Sequence, residues 1–269
     1  MERRRSAVGS TPSRFLPEDD DTVGKRSAIP SVIEYVLVPE KVMRVLFAVV
    51  TVLVLLSTAG QASVYYLPDF VLRDSMAGLL YVNEERSLPT LYSSLMLLLS
   101  ALLLGVIARE RRRNGGPYVR HWQVLSLTFI YLSVDEFAAL HEQAIDPVRR
   151  LLDIEGGPLL HAWVVPGAIG VAVFGVAFAR FVRHLPLIVR QRVVLASVLF
   201  VGGAIGVEIL GSLHAASSGQ QNMRYAAIVT VEETLEMVGV AVFVSALLAY
   251  IAIVLPGVEW RIRVRTTRA

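Results

Sequence analysis

The stretch VMRVLFAVVTVLVLLSTAGQASVYY, from Val42 to Tyr66, decides the fold. Arg44 is its one charged residue. An apolar run of about 20 residues is what a helix needs to cross a hydrocarbon core ~30 Å thick. Working outward, five more blocks of this kind follow. The expected spans lie at roughly 42–65, 89–108, 122–142, 158–182, 193–214 and 227–255. Ser87 and Pro89 read as an N-cap and an early-helix proline for the second block. The whole chain of 269 residues is 54% apolar with a mean hydropathy of +0.57. The expected fold is therefore all-α: an integral membrane bundle of six transmembrane helices.

The flanks are polar. Residues 1 to about 30 carry Arg3, Arg4 and Arg5 and then Glu18, Asp19, Asp20 and Asp21, with no apolar periodicity. PSVIEYVLVPEK at 30–41 reads as interfacial, so that residues 1–40 form the first flank. They read as a disordered or interfacial tail, and not as a signal peptide, because the first long apolar block starts about 40 residues in. Residues 41–256 form the transmembrane domain and residues 257–269 a basic tail. Of the 26 basic residues, 21 fall in the N-terminal tail and the entry to its first helix, in the second-to-third and fourth-to-fifth connections, and in the C-terminal tail. The remaining five are Arg73, Arg86, Arg149, Arg150 and Arg224. By the positive-inside rule this puts both termini in the cytoplasm and agrees with an even number of spans. The localisation expected is a cell (inner or plasma) membrane, multi-pass. The net charge of +3 belongs to arginines at helix ends, so the partner it implies is the lipid bilayer and not nucleic acid. Whether copies associate as a homo-oligomer is left open. Glycines cluster in the fourth and fifth blocks, where small residues let helices approach. Cysteine is absent, which excludes disulfides, thiolate metal sites and cysteine nucleophiles.

The ionisable residues inside the blocks are the candidates for function, because such groups are costly in lipid, about 2.5–3.5 kcal/mol each near the centre. SVDEFAALHE supplies Asp135, Glu136, His141 and Glu142; LLHAW supplies His161. GVEILGSLHA supplies Glu208 and His214; VTVEETLEM supplies Glu232, Glu233 and Glu236. With alternating helices, all of these fall in the outer half. Asp135, Glu208 and Glu236 are expected roughly 8–13 Å below the outer boundary. At ~100° per residue, Asp135 and Glu142 project within about 20° of each other on the third helix. Seven carboxylates meet three histidines here, so protons, histidines or a bound cation must neutralise them. The donor set suits Fe, Mn or Zn if imidazoles join and Ca²⁺ or Mg²⁺ if they do not. Glu232 and Glu233 also fit a plainer role as first-turn acids facing a helix dipole. His121 and His184 read as solvated, and Trp122 and Trp163 as interfacial belt residues.

Membrane di-iron sites use Glu-x-x-His pairs, and neither these nor a His-Glu-x-x-His motif occurs. SVDEFAALHE resembles the Asp and His segment of seven-helix ceramidase-like hydrolases. The His-x-x-x-His helix of that group is missing, so its activity is not carried over. NEERSLPTLYSS, LSVDEFAALHE, GGAIGVEILG and VEETLEMVGV together resemble a group of uncharacterised bacterial six-helix membrane proteins, over most of residues 80–250. That resemblance implies membrane residence and no activity. Two function classes follow from the acids. One is an enzyme with an outward-facing metal or carboxylate site, acting on a lipid or periplasmic substrate. The other is a proton or divalent-cation transporter or channel, with a structural or sensory membrane protein as a third reading. A transport path needs polar groups through the inner half too, and that half offers little beyond Ser126, Thr128, Ser197 and Ser245.

Overall fold

The computed structural model describes residues 38–255, and they lie within one compact unit. The two expected tails fall outside them, except that the first helix already begins at Pro39. In chain order the helices are α1 (Pro39–Tyr66), α2 (Arg73–Leu80), α3 (Leu88–Arg113), α4 (Val119–Ala138), α5 (Ile145–Leu152), α6 (Val164–His184), α7 (Leu187–Val201), α8 (Glu208–Ser218) and α9 (Met223–Val254). No strand occurs among the described residues. Five helices are long and apolar enough to cross a membrane: α1, α3, α6, α9 and the joined α7–α8 run Leu187–Ser218. A sixth is added when α4 and Glu142–Leu152 are taken as one bent span.

Apolar residues face outward over most of the surface, as lipid requires, with Val176 81% and Leu127 65% exposed. The protein-facing core centres on α9. Its most apolar window is 67% buried, against 17% for α1 and for α6. Gly239 is the reason α9 can sit so close to α7. A Cβ there would lie 2.9 Å from the Phe200 amide nitrogen and 3.0 Å from the Ala196 carbonyl oxygen. Small residues replace hydrophobic drive at such crossings. Two helix starts carry side-chain caps. Ser87 Oγ accepts the Thr90 N–H at 3.2 Å with Pro89 in the first turn of α3. Asn222 Oδ1 accepts the Tyr225 N–H at 2.9 Å at the start of α9.

The structure corrects the sequence reading in five places. The third block is not one helix over 122–142: α4 stops at Ala138, Ala139 takes a left-handed φ of 44°, and the chain bends by 78° into the next helical stretch. Glu142 therefore shares no helical face with Asp135, and it is exposed. The fourth block does not begin at 158. Residues Gly157–Leu159 form a 3-10 turn, and α6 starts only at Val164. The fifth block is interrupted by a π-helical segment, Gly202–Val207. The sixth starts at Met223, so Glu232 and Glu233 sit in its third turn, out of range of the helix-end dipole. Finally, His121 and Trp122 are not at a wetted rim. Trp122 is 2% exposed, and His121 stacks on Phe181 at 5.5 Å beside Tyr118 and Phe178.

Candidate functional site: a carboxyl and histidine network at one end of the bundle

The connections α1–α3, α4–α6 and α8–α9 share one end of the bundle, called here the acidic end. The break after α4 comes first. Ala139 in the left-handed region costs about 1–2 kcal/mol for an L-residue, so something must hold it. Asp135 does so with both oxygens. Oδ1 accepts the His141 backbone N–H at 2.8 Å and Oδ2 accepts the ring Nδ1–H at 3.0 Å. The His141 ring packs on Trp163, centroids 4.7 Å apart, so the α4 bend is tied to the residue just before α6.

His161 precedes α6 in the same loop. α8 positions it through two residues four apart, which lie on one helical face. Ser212 Oγ accepts the His161 backbone N–H at 3.1 Å. Glu208 Oε1 pairs with His161 Nδ1. On the far side of the ring the exposed Gln220 amide donates to Nε2 at 3.1 Å. This leaves the ring proton on Nδ1, facing Glu208.

The π segment brings Glu208 to α9. π turns concentrate at functional sites, and here its glycine makes the contact. A Cβ on Gly203 would lie 2.8 Å from the Glu232 carbonyl oxygen and 3.0 Å from Glu236 Cγ. Glu208 and Glu232 then lie within hydrogen-bonding reach of each other. Glu232 is 6% exposed. A carboxylate has no proton to donate, so a hydrogen bond between two carboxyl groups requires one shared proton. Glu233 and Glu236 lie within electrostatic range of this pair and of Glu136, and Glu236 also of Asp135. Ser93 on α3 lies near the Glu136 carboxyl.

Of the ten candidate residues, the structure thus gathers Asp135, Glu136, His141, His161, Glu208, Glu232, Glu233 and Glu236. Glu142 stays at the exposed rim, where its charge acts on His141 and Tyr225. His214 stands apart and donates from Nε2 to the α9 cap, Asn222 Oδ1, at 2.8 Å. Among the described residues no three His, Asp or Glu side chains are arranged to hold a metal ion. The histidine–carboxylate contacts within the group are Asp135 with His141 and His161 with Glu208.

Several partners carry no signal in the sequence. Ser212 was legible only as the residue one turn beyond Glu208. Tyr225 packs beside Gly211 and near Glu208 and Glu232. Tyr81, just after α2, reaches Glu233 from a segment that looked like a loop. Burial pushes its phenol well above the usual range, and Tyr65, Glu233 and Glu84 push the same way.

Residues 43–251 match a family described as Domain of unknown function (DUF8692). No curated protein and no solved structure matches the chain.

Proposed function

We propose, for a chain that belongs to the family Domain of unknown function (DUF8692), that it is a multi-pass membrane enzyme. In this reading Glu208 and Glu232 are its acid–base pair, acting on a lipid or on a substrate at the outer face. The observation that carries the reading is the contact between these two carboxyl groups at the inner end of a polar chain that starts at the surface with Gln220 and His161. Two carboxyl groups sharing one proton supply both halves of acid–base chemistry. The ionised one takes a proton from water or substrate, and the protonated one donates to a leaving group. His161 orients Glu208, and Gly203 keeps Glu232 against it.

The arginine distribution supports cytoplasmic termini, with the acidic end outward in a cell membrane. A divalent ion (Fe, Mn, Zn or Ca) would need three donors about one point. Among the described residues no such group of three is arranged to hold an ion, so no step of this reading passes through a metal. A second reading, proton or cation transport, is favoured by the continuation of acids from Glu232 to Glu233, Glu236 and Glu136. Against it, hydroxyls in the other half are spent on helix carbonyls. Ser126 donates to Ala101, Thr128 to Val124 and Ser197 to Val193, at 2.8–2.9 Å.

The test is to incubate protein in nanodiscs of a cell-membrane lipid extract and to follow lipid products by mass spectrometry. Wild type should form a product that Glu208→Gln and Glu232→Gln do not. Proton or cation flux through proteoliposomes, lost in the same variants and without any product, would replace the enzyme reading with the transport one.

A further inference from the structure

We propose that the groove between α1 and α9 is a binding site for one acyl chain of a bilayer lipid. The groove has a volume of about 350 Å³ and is lined by Val50, Thr51, Val54 and Leu55 on α1 and by Thr234 and Val238 on α9, among others. Its α1 residues recur at helical spacing, so they form one stripe along the helix. Val50 is its floor, 3% exposed, and Leu55 its rim, 63% exposed.

The chemistry of the lining selects the occupant. Both threonine hydroxyls are already spent within their own helices. Thr51 Oγ1 donates to the Phe47 carbonyl at 2.8 Å, and Thr234 Oγ1 to the Thr230 carbonyl at 2.6 Å. An ordered water needs about two to four polar partners, and this lining offers no free donor. The groove also lies at mid-span. Val50 and Leu55 are each about 16 Å along α1 from its nearer end, so the medium they meet is hydrocarbon. A helix from another protein is about 10–12 Å across with its side chains, too wide for a slot of this volume between two helices already in contact. A linear hydrocarbon chain fits both the volume and the absence of free polar groups. Thr234 points about 200° around α9 from Glu232. The site therefore faces away from the carboxyl pair and stands or falls independently of the enzyme reading.

The test uses full-length protein purified in detergent, stripped of lipid, re-exposed to vesicles of dioleoyl phosphatidylcholine, washed, and weighed by native mass spectrometry. Wild type should retain one lipid per chain. Thr51→Trp and Thr234→Phe, which fill the slot, should retain none. Val52→Trp, on the same helix and outside the lining, should behave as wild type. Wild type that retains no lipid overturns the proposal without any variant being needed, and so does retention by both filled variants. Because the chain has no cysteine, Leu55→Cys reports on the rival occupant. Rapid disulfide dimers in the membrane would assign the face to a second copy instead.

Discussion

Gly203→Ala tests whether the π segment is what holds the carboxyl pair together. The added methyl would sit 2.8 Å from the Glu232 carbonyl oxygen, 3.0 Å from Glu236 Cγ and 3.2 Å from Leu235 Cβ. The nearest atom belongs to the α9 backbone and cannot rotate away, so the helices must part. Overpacking of this kind costs about 1–3 kcal/mol. Against it stands the helix preference for alanine over glycine, up to about 1 kcal/mol. The expected net is a loss of about 1–2 kcal/mol, a factor of 5–30 in the folded-to-unfolded ratio. Gly206→Ala is the matched control. It lies in the same segment, exposed, with no atom within 4 Å of the new Cβ, so only the favourable preference term remains. Denaturant unfolding in mixed micelles reads both. The reasoning is refuted if Gly203→Ala is as stable as wild type while Gly206→Ala is destabilised.

Asp135→Ala removes both acceptors that hold the bend after α4, and the unpaired His141 N–H should cost about 1–3 kcal/mol in the same unfolding assay; Asp135→Asn, which keeps one acceptor, should cost less. Tyr81 should make the protein alkali-sensitive. Its phenol stays protonated in the fold while the unfolded chain ionises above about pH 10, so the melting temperature should fall more steeply between pH 9 and 11 in wild type than in Tyr81→Phe. Equal slopes would contradict the burial of that hydroxyl. For topology, reporter fusions after residues 115 and 187 should both read cytoplasmic, and a signal from the opposite side at 187 would overturn the six-span reading.

Much of the fold was legible because lipid imposes a single rule: long apolar blocks become helices. The blocks expected at 42–65 and 89–108 are Pro39–Tyr66 and Leu88–Arg113 in the structure, the second with its Ser87 cap and a longer basic end. The failures share a cause. Asp135 competes with the backbone for the His141 N–H, and that side-chain bond ends a helix whose composition gives no reason to stop. The π segment is likewise a tertiary feature, set by how closely Gly203 lets α9 approach. The acids were legible as a group because each is anomalous in an apolar run. Their pairing was not, since it depends on a bend, a π turn and a loop. The aromatic cluster that takes in His121 and Trp122 was missed because helix-end position alone does not say which face turns inward.

The measurement that bears most directly on the central claim is infrared spectroscopy of the protein in nanodiscs at neutral pH, reading the carbonyl stretch of protonated carboxyl groups. The Glu208–Glu232 pair should give a protonated carboxyl band that persists at neutral pH, shifts in D₂O, and is altered or lost in both Glu232→Gln and Glu208→Gln. A spectrum unchanged by either substitution, or elemental analysis that finds a stoichiometric divalent ion in wild type and not in the variants, would contradict a shared proton as what holds these two acids together.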